Sequence, residues 1–169
     1  MGAMIALRVL HIGSAVFWGG SVLFLNFLVG PAMAAAGPDG IKFMQELNKR
    51  HYFEIMLGAA IVTILSGLDL MRRDSGGFNP SWFHSRFGMG LSTGMIAALI
   101  AVIIAIVGIK PAMRRIGALA ARMTQATPEE RPAIGAAIGA ERARLAAFGG
   151  SSGLFVIIAI VAMAVARYL

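Results

Sequence analysis

The sequence contains no cysteine, which removes disulfides, thiolate metal sites and iron–sulfur clusters from consideration. Any metal would have to be held by histidine, methionine or carboxylate. Histidine is scarce, at three in 169 residues, and 8 acidic residues stand against 15 lysines and arginines. Above all, charge is missing from long stretches: neither Val9 to Pro38 nor Phe87 to Ile109 carries a charged side chain. Runs of this length are foreign to a water-soluble domain, whereas about 20 apolar helical residues cross a hydrocarbon core of roughly 30 Å.

What is present agrees with that exclusion. The chain is 58% hydrophobic with a mean hydropathy of +0.78, about the length needed for four membrane helices and modest loops. The expected fold is all-α, a single integral membrane four-helix bundle with spans at about residues 7–33, 52–71, 87–109 and 145–166. The net charge of +7 does not point to nucleic acid, because the basic residues flank apolar runs instead of gathering on a soluble face. The partner they imply is the lipid bilayer.

Punctuation between the runs sets the connections. Gly37-Pro38-Asp39-Gly40 breaks the first helix, and residues 41–50 read as an amphipathic lead-in to the second. Pro111, just after Lys110, predicts a kink in a third helix that continues beyond the lipid. Thr127-Pro128-Glu129-Glu130 carries the capping-box pattern of a helix start. Residues 110–144 should therefore protrude from the membrane as a helical hairpin, a stalk suited to structure or docking. Lys42, Lys49, Arg50, Lys110, Arg114, Arg115, Arg122, Arg131, Arg142 and Arg144 lie on the stalk side, against Arg8, Arg72, Arg73, Arg86 and Arg167 on the other. This asymmetry predicts a cytoplasmic stalk and both termini outside, which is the periplasm for the bacterial inner membrane expected here.

Polar residues inside the spans mark the candidate site. Arg8, His11, Ala15, Trp18, Val22 and Asn26 step by three or four and share one helical face. In lipid an imidazole is retained only where it turns toward protein or cofactor, so this face should look inward. Up-and-down topology brings Asp69, at the end of the second span, and His84 and Arg86, at the start of the third, to the same side as His11. Asp69 is also placed to pair with Arg72 or Arg73. His11 and His84, on helices that face each other diagonally, could together hold the iron of haem b. Arg8, Arg72 or Arg86 would then meet the propionates, and Gly13, Gly19, Gly20 and Gly88 would leave room for the macrocycle. The role expected is electron transfer or a haem-linked oxidation. Copper is the alternative, since His11 and His84 with Met1, Met4 and Met89 suit Cu(I). A third reading is a cofactor-free accessory subunit that docks on a larger complex, or on a second copy, through its stalk and small-residue faces.

Two motifs carry a resemblance. Leu10-His11, with Trp18 seven residues after the histidine and Pro31 closing the helix, resembles the first helix of the family that includes the HemJ-type protoporphyrinogen oxidases and the CopD copper-resistance domain. Trp82-Phe83-His84-Ser85-Arg86 is similar to the Trp-Leu-His-x-Lys entry of the third helix in the HemJ-type proteins. The resemblance implies haem binding at His11 and a functional cation at Arg86. Arginine stands where that family has lysine, and a guanidinium does not lose its proton to ligate iron. That departure leaves His84 as the second ligand.

Overall fold

The computed structural model describes residues 2–169 except the side chain of Pro38. Four helices are long and apolar enough to cross a membrane: α1 (Gly2–Ala35), α3 (Tyr52–Asp74), α5 (Arg86–Met123) and α6 (Arg131–Tyr168). Two shorter helices, α2 (Pro38–Lys49) and α4 (Pro80–Phe83), lie in the connections. Among the described residues there is no strand. The chain is thus a multi-pass membrane bundle, as its charge-free runs predict.

Neighbouring pairs define the arrangement. α1 packs on α3 and α5 on α6, while α3 touches α5 and α1 touches α6, which leaves α1 and α5 on a diagonal. The core is built from small side chains, Ala60, Ala97, Ala98 and Ala101, closed by Trp18 and Val156. Lipid supplies no hydrophobic drive between helices, so close backbone approach through small residues is what holds them. At Gly94 a Cβ would lie 2.6 Å from Met163 Cγ, and at Gly90 one would lie 2.9 Å from Ala166 Cβ. The large apolar side chains go outward instead, and Val9, Val16, Phe17, Leu65, Ile96, Ile103 and Val161 remain uncovered by protein.

Prolines are absorbed without a break. α1 widens into a π-turn at Leu25–Val29, two residues before Pro31, and α5 does the same at Ala105–Ile109, before Pro111. Proline has no N–H to give, and a π-turn is one way a helix rearranges its hydrogen bonds around such a defect. At Pro111 the helix carries this local widening, and α5 runs on to Met123. In the first π-turn Asn26 Nδ2 donates to the Val22 carbonyl at 2.9 Å. Its amide lies between two glycines of α6, since a Cβ at Gly149 would meet Asn26 Oδ1 at 2.6 Å and one at Gly153 would meet Nδ2 at 3.2 Å.

The connections follow the sequence signals with small shifts. Gly37, with φ of 57°, turns the chain into α2. Helix α6 starts at Arg131, three residues after Pro128, although Glu130 Oε2 accepts from the Thr127 N–H at 3.0 Å as a capping box requires. Residues 128–130 form a turn. The last turns of α5 and the first of α6 then pair as the expected hairpin.

Candidate functional site

His11 lies three residues inside Arg8 on α1, about 4.5 Å at the rise of an α-helix. Its ring turns onto α3, where Nδ1 lies 2.9 Å from the Thr63 carbonyl oxygen and 3.3 Å from Ser66 Oγ. A carbonyl only accepts, so Nδ1 carries the proton and donates it to Thr63. The neutral tautomer then leaves the lone pair on Nε2. Ser66 Oγ is committed elsewhere, donating to the Val62 carbonyl at 2.6 Å. One turn further along, Thr63 Oγ1 and Ser14 Oγ are 2.9 Å apart, a second polar link between the two helices.

The ring fits because residue 67 is glycine. A Cβ at Gly67 would lie 2.8 Å from His11 Cε1 and 3.2 Å from Met95 Cε. Two side chains from diagonal helices therefore converge on one point of α3, the imidazole from α1 and the thioether from α5. Met95 is buried. Three residues before it, on the same side of α5, Ser92 has a buried hydroxyl oxygen with no hydrogen-bond partner among the described residues. An orphaned polar atom of this kind is uncommon in folded proteins.

The other predicted residues distribute around this centre. His84 is at the same membrane side but sits exposed on the link between α4 and α5, where its backbone caps α4. Ser85 Oγ accepts from the Gly88 N–H at 3.0 Å, which starts α5 and fixes the link. Arg86 is exposed beside a groove between α5 and α6. Asp69 is held by its own helix, with Arg72 Nη2 at 2.8 Å and Arg73 Nε at 2.9 Å. Arg8 reaches Asp74 at 3.9 Å, a pairing that ties the start of α1 to the end of α3. Trp18 is buried two turns below His11 and packs in the core.

These positions bear on which metal the residues fit. A porphyrin needs an axial ligand and a flat slot. His11 offers a ring nitrogen; of the glycines expected to make the slot, Gly19 packs against Val156 and Gly88 against the Trp82 carbonyl, while Gly13 and Gly20 are exposed with open space beside them. His11 and Met95 are brought together at Gly67, whereas His84 stays on the exposed link at the start of α5. Sequence analysis missed Thr63, Ser66, Gly67 and Met95. The first three are small residues at i, i+3 and i+4, on one face of the second span, and that face was the available signal.

The fold and the site together define a four-helix multi-pass membrane protein with an inward-facing histidine near one bilayer surface. Comparison with family models, with curated proteins and with solved structures gives no match.

Proposed function

We propose that this chain is a copper-handling protein of the bacterial inner membrane that takes up Cu(I) near the periplasmic face, with His11 Nε2 and the Met95 thioether as ligands. The observation that carries this reading is the His11 Nδ1 bond to the Thr63 carbonyl. A metal-ligating histidine characteristically gives its other N–H to a carbonyl or carboxylate, which fixes the tautomer and aims the free nitrogen. Thioether and imidazole are the soft and intermediate donors that Cu(I) accepts in a chain without cysteine. The distribution of lysine and arginine supports the orientation, with the stalk in the cytoplasm.

Haem b is the second reading, favoured by the same free Nε2. It requires Met95 to leave the point beside Gly67 where it converges with the imidazole. The two separate in one preparation of the full chain in mild detergent, reconstituted with Cu(I) under reducing conditions or supplied with haem. The copper reading expects colourless protein that retains about one copper per chain, lost in His11→Ala and reduced in Met95→Leu. A Soret band that disappears in His11→Ala would instead establish haem. Neither copper nor haem retained would leave the bundle as a scaffold.

A further inference from the structure

The stalk carries a site of its own. Where α5 and α6 leave the membrane they enclose a groove of about 410 Å³ lined by Arg115, Leu119, Arg122, Ala137, Glu141 and Arg144, among others. Its depth is set by sequence. Lys110, the first charged residue after the third span, lies over the Phe53 ring at 5.2 Å, and Arg115 is five residues further, about 7.5 Å along the helix. On α6, Arg144 directly precedes the apolar run that begins at Leu145. The groove therefore opens at the level of the lipid headgroups.

Its chemistry is one buried acid among three guanidinium groups. Glu141 is only 9% exposed. Its Oε1 accepts from Arg144 Nη1 at 2.8 Å and lies 3.5 Å from Arg115 Nη1, which holds two arginines at the rim. Its Oε2 is buried with no hydrogen-bond partner among the described residues. A carboxylate oxygen left this way costs free energy that an arriving donor would recover. The groove thus lacks two things, an anion for its surplus of positive charge and an N–H or O–H for Glu141.

We propose that the groove binds the headgroup of a membrane phospholipid, its phosphodiester held by Arg115, Arg122 and Arg144, with Glu141 turning its buried Oε2 toward the groove to accept from a headgroup hydroxyl or ammonium. Guanidinium groups match phosphate oxygens in a fork geometry, and basic pockets beside membrane helices hold lipid headgroups in this way. The apolar side of the groove, Leu119 with Ala137, suits the glycerol backbone entering from the bilayer. Phosphatidylglycerol offers both the anion and the hydroxyl donors, whereas phosphatidylcholine has the phosphate but no donor and no net charge.

The test is lipid titration of the full chain, followed by native mass spectrometry, with phosphatidylglycerol, phosphatidylcholine and free glycerol 3-phosphate as probes. Phosphatidylglycerol is expected to bind at least about tenfold more tightly than phosphatidylcholine, with the soluble phosphate weaker still. The double variant Arg115→Gln/Arg144→Gln should abolish that preference. Leu119→Trp, which fills the groove and leaves every charge in place, should abolish it too and guards against misfolding of the double variant. Arg142→Gln, outside the groove lining, should bind like the wild type. Equal binding of the two lipids, or a preference that survives both groove variants, would overturn the proposal. Glycerol 3-phosphate binding as tightly as phosphatidylglycerol would overturn it as well, because the anion would then be soluble.

Discussion

The two helix pairs of this bundle solve one physical problem in different ways. α5 and α6 meet through glycine and alanine, with a single cross-helix side-chain bond, Ser152 Oγ to the Ala101 carbonyl at 3.2 Å, in their shared core. α1 and α3 meet through His11, Ser14, Thr63 and Ser66. Within the apolar span, α5 and α6 are thus joined mainly by close packing of small residues. An imidazole placed in a bilayer at appreciable cost exceeds what association needs, and that surplus is the argument for a role in chemistry.

The comparison breaks most severely at the packed pair. Gly94→Val drives a branched side chain into Met163 and the Ala159 carbonyl, where a Cβ alone would sit at 2.6 and 3.2 Å. It should cost about 3 kcal/mol, at the upper end for overpacking, and thermal unfolding in detergent will measure it. Gly67→Ala comes next, because its methyl would meet His11 Cε1 at 2.8 Å. It should cost about 1–2 kcal/mol and also swing the ring off Thr63, so that stability and copper retention fall together. Thr63→Ala removes the hydroxyl that meets Ser14 Oγ and the Ala59 carbonyl, keeps the carbonyl that His11 needs, and should cost about 0.6 kcal/mol with copper retained. Loss of copper in Thr63→Ala would show that the polar link, and not the imidazole, makes the site.

The smallest effect lies outside both pairs. On α2 the Lys49 side chain, hydrogen-bonded to Glu46 at 2.5 Å, holds the glutamate carboxyl below its usual range. The folded value is the lowered one, so the contribution is present at neutral pH. It is lost as pH falls below the ordinary glutamate range and through that folded value. Glu46 is fully exposed, so Glu46→Gln should alter the pH dependence of unfolding only slightly and leave copper retention unchanged.

The spans were legible because charge-free runs have one physical outcome in a chain of this length, and the inward face of α1 was legible because His11 and Asn26 fall at helical spacing. Their partners were not. Which face of α3 meets α1 depends on how the helices dock, so Thr63, Ser66 and Gly67 looked like ordinary small residues of a membrane helix. Met95 was hidden among eleven methionines, where packing is the ordinary use. The motif around His84 placed it correctly beside α5, but a boundary motif does not say which way a side chain points. The register between Arg115 and Glu141 across the stalk is likewise a property of the folded hairpin.

X-ray absorption at the copper edge of the reconstituted protein tests the metal site most directly. A first shell containing both imidazole nitrogen and a sulfur scatterer, with the sulfur absent in Met95→Leu and the nitrogen lost in His11→Ala, is the predicted result. A shell of nitrogen and oxygen alone, unchanged by either substitution, would contradict it.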